Sequence, residues 1–239
     1  MRILVVDVGG THVKLLATGQ PERVKLDSGP ALTPDQMVGA VQAAARDWAY
    51  DVVSVGYPGP VRDGRPMADP RNLGPGWVGF DFAAAFGRPT RVINDAAMQA
   101  LGSYEGGRML FLGLGTGLGS ALVVDGIVQP LELAHLPYRR GRTFEEYVGA
   151  AGRARHGQAR WLRLVADVTA RLRDAMQADY VVLGGGNAKK LGELPPGARL
   201  GANANAFAGG FRLWEAAHGA PGTTTPVTGS GAPVSADAP

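Results

Sequence analysis

The sequence predicts a two-lobed α/β fold built from a repeated unit, and two observations carry that prediction. Asp7-Val8-Gly9-Gly10-Thr11 near the start and Gly113-Leu114-Gly115-Thr116-Gly117 about half-way along are glycine-rich turns. Each leaves an apolar, strand-like run (Ile3 to Val6, Met109 to Leu112) and leads into another β-rich run. The second observation is the order strands, helix, strand, helix, which is met twice although the two copies are otherwise dissimilar. A strand, a Gly-Thr turn and a returning strand form a hairpin whose backbone N–H groups can face an anion, because glycine permits close approach and positive φ. Two such turns, one in each half, describe a phosphate chain gripped from both sides.

The elements follow in order. Ile3 to Val6, Val13 to Ala17 and Arg23 to Leu26 are short β-prone runs separated by turn residues. Thr33-Pro34-Asp35-Gln36 opens a helix, with a threonine cap, proline in the first turn and glutamine completing a capping box, and the helix is expected to reach Trp48. Val52 to Gly56 is the next strand. The Pro- and Gly-rich stretch from Tyr57 to Gly79 is a long loop, and Trp77 and Phe80 argue that it packs. A strand from Arg91 to Asn94 ends at Asp95, and an alanine-rich helix follows from Ala96 to Tyr104.

In the second half, Met109 to Leu112 and Ser120 to Val124 flank the second turn. Thr143-Phe144-Glu145-Glu146 is another capping box. Trp161, Val165, Val168, Leu172 and Met176 recur at helical spacing, with arginines and aspartates on the opposite face. Tyr180 to Leu183 is a strand, Gly184-Gly185-Gly186-Asn187 leads into a further helix, and residues 203 to 217 form the last one. From Gly219 the composition is Gly, Pro, Ser, Thr and Ala, so 219–239 is expected to be a disordered tail. Residues 1–105 and 106–218 are the expected lobes.

The chain of 239 residues is 45% apolar, which allows a substantial core. It has no cysteine, which excludes disulfides, thiolate zinc sites and a cysteine nucleophile. Its net charge of +3 gives no argument for nucleic acid as a partner. No apolar run approaches the roughly 20 residues that span a bilayer, and the chain starts on a strand-like run interrupted by Asp7, so no membrane association and a cytoplasmic location are expected. Arginine is dense from Arg139 to Arg173. The helical spacing explains many of these as a solvated face; Arg139, Arg140 and Arg142 lie outside that helix and are the better candidates for anion contact.

Together these motifs resemble the ROK family of sugar kinases, within the actin/hexokinase-like (ribonuclease H-like) fold and its duplicated βββαβα-type unit. The carrying residues are Asp7-Val8-Gly9-Gly10-Thr11, Gly56-Tyr57-Pro58-Gly59-Pro60-Val61, Asn94-Asp95, Gly115-Thr116-Gly117-Leu118-Gly119 and Gly184-Gly185-Gly186. They run collinearly over residues 1 to 217, and Asn72-Leu73-Gly74-Pro75-Gly76-Trp77 looks most like the polyphosphate glucokinase branch. Two departures stand out. The cysteine-rich zinc loop of many members is missing, so no structural zinc is expected. The Glu-x-Gly-His pattern reads Glu132-Leu133-Ala134-His135, with alanine where glycine is usual.

The resemblance implies a hexokinase-type transfer to the 6-hydroxyl of glucose, with ATP or polyphosphate as donor, Mg²⁺ as cofactor and a homodimer. Asp95 is the expected base. It follows a strand and precedes a helix, the place where open α/β sheets bind ligands, although an Asp there also serves as a helix cap. Asn94, Glu132 and His135 are the expected sugar clamp, with Gly59 and Asn72 lining the same pocket from the long loop. Asp7 is expected to orient Mg²⁺ through water. Gly9, Gly10, Thr11 and Lys14, with Gly115, Thr116 and Gly117 and with Gly184, Gly185 and Gly186, form the expected phosphate and nucleotide side. A kinase for mannose, fructose or an N-acetylated hexosamine, and a catalytically silent sugar or nucleotide sensor, are the alternatives.

Overall fold

The computed structural model describes residues 1–202 and 204–215. The expected tail, 219–239, and the ends of the expected last helix lie outside the described residues. Strands β1 (Ile3–Val8), β2 (His12–Ala17) and β3 (Val24–Asp27) form an antiparallel meander. Helix α1 (Pro34–Ala44) crosses to β4 (Val52–Tyr57), which pairs parallel with β1. The long loop that follows holds the short ladder β5 (Val61–Arg62) and β6 (Arg65–Pro66), then α2 (Phe82–Phe86), β7 (Thr90–Asn94) and α3 (Asp95–Ser103).

The second half begins with the meander β8 (Arg108–Leu114), β9 (Leu118–Val124) and β10 (Ile127–Leu131). A 3-10 turn, Leu133–His135, leads to the hairpin β11 (Pro137–Arg139) and β12 (Arg142–Thr143), and then to α4 (Phe144–Val148), α5 (Ala150–His156) and α6 (Gln158–Ala175). Strand β13 (Tyr180–Gly184), a second 3-10 turn, β14 (Ala198–Leu200) and α7 (Asn205–Glu215) complete it.

The sheet orders are β3-β2-β1-β4-β7 and β10-β9-β8-β13-β14, so the two halves superimpose strand for strand in connectivity. The duplication read from motif order is thus a duplication of topology, and each glycine-rich turn joins the first two strands of its copy. One core fills the space between α1, α2 and the first sheet around Trp77, Tyr57 and Leu15; the other lies under α4 and α6 around Trp161 and Val148.

The last helix of each copy lies between the two sheets: α3 packs on both of them, with Met98 against Ile3, Val5 and Val52 of the first, and α7 packs on the first. Ala96, Ala97 and Ala100 of α3 pack on Met109, Phe111 and Val182 of the second sheet. Ala206 and Phe207 of α7 return to Ile3, Val5 and Val52 of the first. Residues 205–215, which the sequence division gives to the second lobe, therefore lie on the sheet of the first. The buried Ser54 hydroxyl of β4 donates to Gly210 O at 2.6 Å and accepts from Trp214 Nε1 at 2.9 Å. Arg212 donates to Leu101 O and Tyr104 O at 2.8 and 3.0 Å, placing a cation at the C-terminal end of α3. Helices α3 and α7 cross with their backbones nearly touching, because a Cβ at Gly102 would overlap Asn205 O and one at Gly209 would overlap Met98 O.

Several expectations are corrected. The first helix ends at Ala44 rather than Trp48. The stretch after Gly184-Gly185-Gly186 is one 3-10 turn, Ala188–Lys190, not a helix. Gly192, at φ +70°, and the following Pro195-Pro196 stop it after a single turn. A single 3-10 turn offers no helix N-terminus to hold an anion there. Gly185 is needed for close packing: its φ is +81° and a Cβ would lie 2.5 Å from Leu114 O.

Candidate functional site

The C-terminal ends of β4 and β7, the two glycine turns and the Glu132–His135 turn surround one cleft of about 380 Å³ between the lobes. It is lined by Gly9, Gly10, Gly59, Asn72, Asn94, Asp95, Gly115, Thr116, Gly117, Glu132, His135 and Gly185. An adjoining arm of about 440 Å³ continues past Asn72 and His135 along Ala68 to Leu73 of the long loop. The long loop is held close: a Cβ on Gly10 would stand 2.8 Å from Asn72 Cβ, so glycine there lets the first turn and the loop share a wall.

The first turn is closed by Gly9 N donating to His12 O at 3.1 Å and by Ser28 Oγ donating to Gly9 O at 2.6 Å. The second is closed by Gly115 N to Gly117 O at 3.1 Å and is tied down by Asn187 Nδ2 to Gly115 O at 2.9 Å and Ala150 N to Thr116 O at 3.1 Å. The carbonyls of Gly9, Thr11, Gly115, Thr116 and Gly117 are engaged, while the N–H groups of Gly10, Thr11, Thr116 and Gly117 donate to nothing among the described residues. Free amides on two facing turns suit an anion.

Asp95 is the first residue of α3, and the cap is Asn94, whose Oδ1 accepts from Ala97 N at 3.1 Å. The capping duty that an Asp at 95 could have taken is therefore met by its neighbour. Asn94 Nδ2 also donates to Gly59 O at 3.1 Å, fastening β7 to the long loop. Asp95 Oδ1 accepts from Ala96 N at 2.8 Å. Burial, helped by the charge of Asp7 and then of Glu132, and opposed by backbone hydrogen bonds, pushes the Asp95 carboxyl up to about 7. A carboxylate held near neutrality is poised to take a proton at physiological pH.

The clamp residues Glu132 and His135 flank the 3-10 turn, with Oε2 and Nε2 3.8 Å apart and both side chains more than half exposed at the rim. Ser120 fixes the turn's start, donating to Leu131 O at 2.8 Å and accepting from Leu133 N at 3.2 Å. Glu145 also enters both the cleft and its arm, and its Oε2 accepts from Leu118 N at 3.3 Å behind the second turn. The sequence reading passes over it, since Glu145 looks like an acidic first-turn residue of a capped helix. The signal was there: the box Thr143–Glu146 needs only one of the two glutamates.

Asp7, Thr11, Lys14, Gly184 and Gly186 do not line the cleft. Asp7 is buried at the end of β1 and paired with Lys14 at 3.0 Å across the β1–β2 register. Lys14 is thus committed to Asp7. Among the described residues no three His, Cys, Asp or Glu side chains gather to hold a metal. Mg²⁺ characteristically takes one or two carboxylates and completes its shell with waters and phosphate oxygens. Asp7 and Asp95, close enough for one charge to raise the other's pKa, fit that pattern.

The ROK family profile matches residues 3–130. A polyphosphate glucokinase of Mycobacterium tuberculosis is 26% identical over 213 residues, covering 80% of each chain. A bifunctional NanE/NanK enzyme of Brucella melitensis is 30% identical over 139 residues, 52% of this chain and 27% of that one. In three dimensions the chain is similar to the inorganic polyphosphate/ATP-glucomannokinase of Arthrobacter sp. strain KM, with a TM-score of 0.75 at 24% identity over 91% of this chain and 99% of the other. No helix among the described residues is long and apolar enough to cross a membrane.

Proposed function

This chain belongs to the ROK family and is a sugar kinase, and from that premise we propose that it phosphorylates the 6-hydroxyl of glucose with inorganic polyphosphate or ATP. The observation that supports this reading is the meeting of both glycine turns with Asp95, Glu132, His135 and Glu145 around one cleft. The terminal phosphates of the donor rest on the free amides of Gly10, Thr116 and Gly117. The sugar enters by the arm. Asn94, Glu132, His135 and Glu145 hold its hydroxyls, and the 6-hydroxyl faces Asp95. Asp95 accepts the hydroxyl proton as the oxygen attacks the terminal phosphorus, a contribution of about 10²–10⁴-fold; positioning and charge neutralisation do the rest. Asp7, through water, and the donor's own oxygens would hold Mg²⁺, which when bound offsets the phosphate charge.

A coupled assay of glucose, mannose, fructose and N-acetylmannosamine against ATP and polyphosphate tests the reading. Glucose is expected to give the highest kcat/KM. A preference for the N-acetylated sugar would move the assignment to the second reading, which Ala134, in place of the usual glycine, leaves open. No turnover with any pair would leave the sensor alternative standing.

Glu145 gives a sharper check. A hydrogen bond to a charged group is worth about 1.5–3 kcal/mol, so Glu145→Gln is expected to raise KM for the sugar about tenfold or more. The KM for the donor should stay within about twofold. A larger effect on the donor would assign Glu145 to the second turn, through Leu118, rather than to the sugar.

A further inference from the structure

The hairpin β11–β12 and the first turn of α6 enclose a pocket that the kinase reading leaves unused. Its volume is about 610 Å³, and Arg139, Arg140, Arg142 and Arg160 surround it over a floor of Tyr147, His156 and Leu164. None of the lining residues is a carboxylate. Arg139 is paired, sharing Asp167 with Arg171 at 3.0 and 2.9 Å. Arg140, Arg142 and Arg160 are exposed and form no ion pair among the described residues.

His156 lies flat on Tyr147, with ring centroids 5.2 Å apart and planes at 15°. Its Nε2 is shut from solvent and has no hydrogen-bond partner. Burial, then the charges of Arg160, Arg155 and Arg142, hold its pKa below the ordinary value, so the ring does not add to the positive charge at neutral pH.

A solvated helix face does not account for this arrangement. Of the four arginines only Arg160 stands on α6; the other three come from a hairpin folded toward it. Guanidinium groups crowded around one cavity repel each other, and an anion with several charges relieves that repulsion. Arginine's planar fork matches phosphate oxygens in pairs, so a ring of arginines suits a run of phosphates better than a single carboxylate. The hairpin is also suspended between residues of the cleft. It starts just after His135 and ends at Thr143, just before Glu145, with Phe144 N donating to Leu136 O at 3.2 Å across its base.

We propose that this pocket is an accessory site for a chain of condensed phosphates, distinct from the catalytic cleft, which holds a length of inorganic polyphosphate away from the end being consumed. The proposal rests on the reading of the cleft as a phosphoryl-transfer site with a polyphosphate donor. Two sites on one chain raise affinity through effective concentration without any new contact at the reacting end.

The test uses the full chain and the triple variant Arg140→Ala/Arg142→Ala/Arg160→Ala, whose three side chains are exposed and leave the core intact. Long-chain polyphosphate, tripolyphosphate, ATP, glucose 6-phosphate and a duplex oligonucleotide are titrated by calorimetry. Each titration is repeated at several salt concentrations and in an Asp95→Asn background, which binds without turnover. The expected result is a loss of about tenfold or more in affinity for long-chain polyphosphate, a shallower dependence on salt, and unchanged affinity for tripolyphosphate and ATP. Unchanged long-chain affinity overturns the proposal. So does an equal loss for tripolyphosphate, which would mark a disturbed cleft. So does an equal loss for ATP or glucose 6-phosphate, which would mark a site for a phosphorylated metabolite, or for the duplex, which would mark a nucleic-acid surface. Because binding is read without turnover, a kinase reading that fails in the sugar assay leaves this outcome separately measurable.

Discussion

Asp95→Asn is expected to lose turnover by about 10²–10⁴-fold while its affinity for sugar and donor stays within about twofold. Asparagine keeps the shape and can still accept from Ala96 N, as Asp95 Oδ1 does at 2.8 Å. It cannot take a proton. Helix α3 also keeps its start, because Asn94 and not Asp95 caps it. The comparison is therefore a change of chemistry on a constant backbone, read as kcat in a coupled assay and as binding by calorimetry. Turnover close to wild type would remove Asp95 from the role of base.

The same residue sets an expected pH profile. With the carboxyl pushed up to about 7, chiefly by burial and then by Asp7, the base is increasingly protonated as pH falls. The kcat/KM of the wild type should drop about tenfold per unit below that value, and the variant should show no such limb. The linkage to stability has a definite sign. The folded state keeps a proton that the unfolded chain releases near pH 4, so the contribution of this group is present below that pH and is lost as pH rises through 7. Above pH 7 the charged carboxyl strains the cleft, and Asp95→Asn should melt at a higher temperature than wild type. Near pH 4 the two should melt together. An active-site residue whose removal stabilises the fold is the usual trade between function and stability.

What the sequence made legible was local. The capping boxes at Thr33–Gln36 and Thr143–Glu146 form as read, each with both of its reciprocal hydrogen bonds. Both glycine turns sit where an apolar run meets a β-prone one, and the periodicity that buries Trp161, Val165, Val168 and Leu172 gives α6 its direction. What stayed hidden depends on partners distant in sequence. Strand β14 has only three residues and is defined by its parallel pairing with β13. The commitment of Lys14 to Asp7 follows from strand register, which no motif prints. Glu145 was masked by a sufficient local explanation. The close crossing of α3 and α7 between the sheets is a tertiary event whose trace in the sequence is two glycines, Gly102 and Gly209, that otherwise only weaken a helix.

Those two glycines support the prediction with the longest reach. Gly209→Ala is expected to lower kcat by about 10²-fold, although residue 209 does not line the cleft. A Cβ at 209 would overlap Met98 O of α3, a backbone atom that cannot swing aside as a side chain would. The helices must separate, at a cost of about 1–3 kcal/mol for overpacking. Helix α3 carries Asp95 at its N-terminus, so its displacement carries the base with it, and a misplacement of about 1 Å is enough for a hundredfold loss. Glu132, His135 and Glu145 belong to the other lobe and stay in place, while Asn94, the cap of α3, moves with Asp95, so KM for the sugar should rise by much less than kcat falls. Gly39→Ala is the control: Gly39 lies on the exposed face of α1 with open space around it. There the same substitution should stabilise the protein by about 0.5–1 kcal/mol through helix propensity and leave kcat alone. If Gly209→Ala lowers the melting temperature yet keeps the wild-type kcat, the helix crossing holds the lobes together without positioning the base.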